Sequence, residues 1–192
     1  MRIGIFGGSF NPPHLMHKKI ALALLEKHYV DRVIYVPTGN QYQKKDLIDV
    51  KYRYHMLEKM IQPYKNLSVS DYEMGTLKYT YQTLDHFQKI YPNDEIYFIC
   101  GTDNLKEITT WRRYDHILSH YPLLVIQRNQ DDCTLIQNQL QESHIIATDI
   151  VAQDISSTKI RKYLLEEKNE KLATYIDENV LEYIKENNLY GG

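Results

Sequence analysis

Two histidines three residues apart, His14 and His17, close a turn that reads Gly7-Gly-Ser-Phe-Asn-Pro-Pro-His-Leu-Met-His17. Far downstream, Ser156, Ser157 and Thr158 stand just before Lys159 and Arg161. Imidazoles, hydroxyls, a guanidinium and the bare amides of glycine are all donors suited to phosphate oxygens. At a spacing of three the histidines share one face of a first helical turn. The N–H groups and positive dipole end of that turn converge on one point, and glycine lets a ligand approach the backbone. Arg161 can fork onto a phosphate. The expectation is that the first stretch holds the phosphates of a nucleotide. Gly101-Thr-Asp103 and the pair Lys44 and Lys45 add two weaker elements of the same character.

Each element has an ordinary reading beside it. The histidines suit a solvated helix start, Ser156 to Thr158 a helix cap, and Gly101 the end of a strand. Trp111, the only tryptophan, suits the core, and Lys44 and Lys45 a solvated loop. The coincidence of phosphate-suited residues, most of them at strand ends, favours the functional reading.

The elements that must position these residues are legible from periodicity. Apolar runs at Ile3 to Phe6, Arg32 to Val36, Leu67 to Val69, Glu95 to Cys100, Pro122 to Gln127 and His144 to Ala147 read as strands. Helices are expected at residues 14 to about 28, Val50 to Ile61 with Asp49 as cap, Tyr79 to Pro92, around Leu105 to Trp111, and Tyr114 to Ser119. His14, His17, Ala21, Leu24 and His28 form the inward stripe of the first helix. A further helix is expected through Leu140, then Ser157 to Leu165, a short one near Leu172, and Asp177 to Asn187, after which Leu189 and Tyr190 dock. Alternating strand and helix predict an α/β fold, a doubly wound parallel sheet with a small helical C-terminal part. The chain reads as one domain, residues 1–192, with an α/β core over 1–150 and a helical subregion over 151–192. In such a sheet, ligands bind beyond the carboxyl ends of the strands.

Composition narrows the function classes. With 23 Lys and Arg against 25 Asp and Glu the charge is mixed, with no basic footprint for nucleic acid. No apolar run reaches the length of a membrane span, and none at the start makes a signal peptide. Cys100 and Cys133 stand far apart with no metal-ligand spacing, so a reduced, cytoplasmic protein without a protein-held metal site is expected. No G-x-x-x-x-G-K-[ST] occurs, Gly4-Ile-Phe-Gly7-Gly8 is not G-x-G-x-x-G, and no G-x-S-x-G elbow supports a nucleophile.

The first motif resembles the signature of the H-x-G-H nucleotidyltransferase superfamily. Ile155-Ser-Ser-Thr-Lys-Ile-Arg161 resembles its second signature and Phe98-Ile-Cys-Gly-Thr-Asp103 its middle one. Over nearly the full length the chain is most similar to the bacterial nicotinate-nucleotide adenylyltransferases, through Tyr79-Thr80 before a helix, Gly101-Thr-Asp-Asn-Leu105 followed by Trp111, and Tyr183-Ile with Leu189-Tyr190. Two departures stand out. Met16 occupies a position where the family often has glycine, and the loop after Pro37 reads Asn40-Gln-Tyr-Gln-Lys-Lys45 in place of Pro-Pro-His-Lys.

The resemblance implies a Rossmann-like nucleotidyltransferase joining ATP and nicotinate mononucleotide into the deamido dinucleotide and pyrophosphate, a step of NAD biosynthesis. It implies His17, His14 and Arg161 as catalytic residues. Gly8, Ser9, Phe10, Gly101, Asp103, Ser157 and Thr158 would bind ATP, and Lys44, Thr80 and Trp111 the pyridine mononucleotide. Mg²⁺ is expected to arrive with ATP. Self-association as a homo-oligomer is compatible with the sequence. The alternatives are nicotinamide-mononucleotide, phosphopantetheine or cytidylyl transfer on the same scaffold, or a non-catalytic nucleotide-binding regulatory protein.

Overall fold

A computed structural model describes residues 1–41, 46–128, 144–153 and 155–191. Among these residues six strands, β1 Arg2–Gly8, β2 Arg32–Pro37, β3 Leu67–Val69, β4 Glu95–Gly101, β5 Leu123–Arg128 and β6 Ile145–Ala152, form one sheet in the order β3-β2-β1-β4-β5-β6. Every neighbouring pair is parallel. The α/β, doubly wound sheet expected from the strand–helix alternation is therefore the observed one. Its order reverses between β1 and β4, the switch point at which such sheets open a crevice.

Eight α-helices among the described residues cover both faces. They are α1 Leu15–Glu26, α2 Val50–Ile61, α3 Thr80–Ile90, α4 Thr102–Glu107, α5 Tyr114–His120, α6 Ser157–Leu165, α7 Asn169–Tyr175 and α8 Glu178–Glu186. Strand side chains alternate between the faces. Val33 and Tyr35 of β2 point into one core with Leu24, Met56, Ile160, Val180 and Leu189. Ile34 and Val36 point into the other with Leu84, Phe98, Leu105 and Ile117. Burial on both faces explains why these parallel strands read as continuous apolar runs. The C-terminal helices α6 to α8 share the first core with α1 and α2.

Two sequence expectations need correction. The first helix ends at Glu26, so His28 leaves the inward stripe; it is exposed, with a left-handed φ of 56°. Met16 takes a place in that stripe, 6% exposed. The last strand runs to Ala152 and not Ala147. Thr148 and Asp149 hid its second half, because polar residues interrupt an apolar pattern. In the structure Thr148 is buried, its hydroxyl donating to the Val125 carbonyl at 2.9 Å beside a register shift in β5, while Asp149 turns outward to Lys27. The helix expected through Leu140 lies outside the described residues.

Candidate active site

The crevice follows from the register. β1 continues beside β2 through Gly8↔Pro37, and β4 beside β5 through Gly101↔Ile126. Yet β1 and β4 pair with each other only as far as Phe6↔Ile99. The central strands thus separate from each other while each still runs beside its outer neighbour. Gly7, Gly8, Cys100 and Gly101 line the resulting gap at the carboxyl rim.

His14 and His17 stand on the β1 side of this gap. His14 is the cap of α1 and has extended backbone; His17 lies in the first turn. The His17 N–H donates to the His14 carbonyl at 2.9 Å, and the His14 N–H returns to His17 Nδ1 at 3.1 Å. The two rings stack with centroids 3.6 Å apart. Because Nδ1 accepts, the neutral imidazole of His17 carries its proton on Nε2, which makes that atom a donor. Phe6 and Phe10 meet the His17 ring edge-on, Tyr35 packs against both of them, and the Tyr35 hydroxyl donates to the His17 carbonyl at 2.9 Å. Burial pushes the Tyr35 phenol well above its usual range, so it stays a neutral donor.

The same reciprocal cap recurs at two more helices along the rim. The Tyr79 N–H donates to Gln82 Oε1 at 3.0 Å before α3, and the Gly101 N–H to Asn104 Oδ1 at 3.3 Å before α4. Thr80 is the first residue of α3 and Asp103 is exposed in the first turn of α4. Trp111 is half-buried, its ring meeting Phe98 edge-on at 5.9 Å, so it packs on the second core while keeping a solvent-facing side.

The two ends of the chain meet here. Ser156 caps α6, accepting from the Lys159 N–H at 3.2 Å. Ser157 Oγ donates to the Pro12 carbonyl at 2.9 Å, and Arg161 Nη1 to the Asn11 carbonyl at 2.8 Å. Arg161 Nη2 lies 3.4 Å from the hydroxyl of Thr158, which is exposed. So α6 is docked directly on the turn between β1 and α1. Phe10 has a positive φ of 45°, and its ring folds back over Gly8, where a Cβ would stand 3.1 Å from it. The Phe10 side chain is thereby core, leaving its main chain to the rim. Lys44 lies outside the described residues.

With this geometry in place, residues 5–163 match the model of the cytidylyltransferase-like family. The chain belongs to that family. Among curated relatives, one from Caldicellulosiruptor bescii is 35% identical over 99% of both chains, and one from Clostridium botulinum strain Eklund 17B is 36% identical over 98% of both. Both carry the name "Probable nicotinate-nucleotide adenylyltransferase". In fold, the chain is similar to Plasmodium falciparum nicotinic acid mononucleotide adenylyltransferase, solved with NaAD, at TM-score 0.85 and 22% identity over 99% of this chain and 97% of that one. The resemblance drawn from the motifs is borne out at the level of the family.

Against the family pattern, Met16 is buried in the first core with Phe10 and Ile20. Three residues that the sequence reading passed over hold the rim together. Asn11, 2% exposed, donates from Nδ2 to the Asp46 carbonyl at 2.7 Å. Its Oδ1 accepts the Tyr190 hydroxyl at 2.8 Å and the Ile48 N–H at 3.4 Å. Burial raises the Tyr190 phenol well above its usual range, so the hydroxyl keeps its proton for this contact. Arg53, on α2, is fully buried. Its signal was present in the sequence, since Val50, Arg53, Leu57 and Met60 are spaced as one helical stripe and only one of the four is charged. Lys18, the residue after His17, pairs with Asp177 at the start of α8 and fastens the C-terminal helix to the motif.

Proposed function

We infer that this chain is a nicotinate-nucleotide adenylyltransferase of NAD biosynthesis, joining ATP and nicotinate mononucleotide into nicotinate adenine dinucleotide and pyrophosphate. The observation that carries this reading is the divided rim. The helix that carries the hydroxyl–guanidinium set, α6, is docked on the turn that leads into the paired imidazoles, in a chain similar over its whole length to adenylyltransferases.

The chemistry asks little of the protein beyond position and charge. A phosphate oxygen of the mononucleotide, already anionic near neutral pH, attacks the α-phosphorus of ATP. The new P–O bond forms as the bond to the β-phosphate bridging oxygen breaks, and pyrophosphate leaves with the electron pair. No general base or covalent intermediate is required, so rate comes from bringing two anions into line and stabilising developing negative charge. In this reading the Nε2–H of His17 donates to the reacting phosphate, with His14 beside it. Ser157, Thr158 and Arg161 receive the β- and γ-phosphates, and the main chain of Gly8, Ser9 and Phe10 lines the shared phosphate region. Gly101 and Asp103 address the adenosine, and Lys44, Thr80 and Trp111 the pyridine mononucleotide, Trp111 offering its free face for stacking. The rim's imidazoles, hydroxyls, guanidinium and amides suit phosphate oxygens, whereas Mg²⁺ favours carboxylates and water. We therefore assign the ion to the ATP phosphates and water, not to the side chains of the rim.

The deciding experiment is release of pyrophosphate from ATP with nicotinate mononucleotide, nicotinamide mononucleotide, phosphopantetheine or no acceptor. The expected result is rapid release with the first. Release no faster with any acceptor than with none overturns an enzymatic role, and a preference for phosphopantetheine overturns the substrate.

A further inference from the structure

Arg53 is the largest of the fully buried side chains among the described residues and forms no ion pair among them. A guanidinium out of contact with water must have its donors satisfied. Nε donates to the Ile48 carbonyl at 2.9 Å, Nη1 to the Ser9 carbonyl at 2.8 Å and Nη2 to the Thr38 carbonyl at 2.6 Å. Burial lowers its pKa only to about 10, so it remains a cation at neutral pH. An apolar side chain would fill the same space in α2 without this desolvation, and lysine, a compact charge without the planar fork, would not span three carbonyls.

The three acceptors come from three segments that meet at the carboxyl rim. Ser9 lies in the turn of the first motif, Thr38 follows β2, and Ile48 precedes α2. Further bonds tie the same segments. The Thr38 N–H donates to the Gly8 carbonyl at 3.0 Å, and Asn11 holds Asp46 and Ile48. Both flanks of the connection between β2 and α2 are thereby fastened to the first motif. The orientation has a second consequence. In a trans peptide the carbonyl and the following N–H point in opposite directions. A Ser9 carbonyl drawn onto Arg53 therefore aims the Phe10 N–H away from the buried guanidinium, and the Thr38 carbonyl does the same for the Gly39 N–H. A cation on the carbonyl also polarises the peptide and strengthens that N–H as a donor.

We propose that Arg53 is a positioning residue for phosphate binding, orienting and polarising the Phe10 and Gly39 amides and holding the first motif in register with the segment after β2. It acts without touching the substrate, and it rests on the adenylyl-transfer reading above.

The test compares the full-length wild type with R53K and R53Q at a temperature where urea unfolding shows each to be fully folded. Two readouts are taken: kcat and KM for MgATP with nicotinate mononucleotide, and hydrogen exchange of residues 7–13 and 36–41, with β5 as internal reference. R53Q is expected to lose about 10- to 100-fold in kcat, the scale set by small misplacements of a reacting group, with a smaller change in KM. R53K is expected to recover some of the loss. Exchange should accelerate in both rim segments and stay unchanged in β5. A folded R53Q with kcat within about twofold of wild type, or exchange that rises equally in β5, overturns the proposal. Should R53Q fail to fold, R53K and the wild type decide it: in mild urea the two wild-type rim segments must open as one unit, and separate opening refutes the clasp. A wild type inactive towards nicotinate mononucleotide defeats the function reading alone, while the exchange measurements still judge Arg53.

Discussion

Glu73 offers a prediction whose size can be worked from the structure. It lies between β3 and α3, only 8% exposed, and its Oε1 accepts the Thr83 hydroxyl at 2.6 Å. Burial is the dominant influence and lifts its pKa from 4.5 to about 7, with the Thr83 bond and the charge of Lys78 offsetting some of the rise. A raised carboxyl pKa means that the folded chain holds the proton more tightly than the unfolded chain between these two values. Stability from this group is therefore complete below pH 4.5 and is lost as the pH rises through 7. The full span is worth about 3 kcal/mol. Glu73→Gln keeps the volume and an acceptor for Thr83 but carries no charge. Urea unfolding at pH 5 and pH 8 measures the consequence. The variant should match the wild type to within about 1 kcal/mol at pH 5 and exceed it by up to about 3 kcal/mol at pH 8. Carboxylates with lowered pKa, such as Asp31 and Asp149, are common to both proteins and cancel in the difference. A gap of the same size at both pH values would refute the reasoning, because it would mean that the charge on Glu73 meets no desolvation.

Two further outcomes follow from the rim. His17→Ala should lower kcat/KM for adenylyl transfer by roughly 10²-fold or more, the scale of losing one donor to a developing charge; steady-state kinetics showing near-wild-type turnover would remove His17 from the chemistry. Gly39→Ala should be strongly destabilising, because its Cβ would stand 2.2 Å from the Glu73 carbonyl oxygen, a main-chain atom that can yield only by moving the backbone. A G39A protein with the wild-type urea midpoint would contradict that contact.

Much of the fold was legible because parallel strands buried on both faces leave unbroken apolar runs, and β1, β2 and β4 are of that kind. Asp49 announced α2 correctly, its carboxylate accepting the Lys51 N–H at 2.9 Å. Local pattern is silent where a residue's burial depends on a distant partner. Thr148 is polar in sequence and core in space because Val125 accepts its proton. Arg53 stands in the apolar stripe of α2 in the sequence, but the three carbonyls 5, 15 and 44 residues away that make a buried cation tolerable come together only in space.

The sequence by itself determined the chemical inventory and the order of strands and helices, since side-chain type and the 2- and 3.6-residue periodicities are local properties. It also carried enough motif, in the right order, to indicate the family. Only the tertiary structure decided how that inventory is assembled. It closed the distance between Pro12 and Ser157, turned Met16 inward, placed Tyr190 on Asn11 and opened the gap between β1 and β4. Those are consequences of strand order and register, which arise from contacts across tens to hundreds of residues and leave no mark on any short stretch of chain.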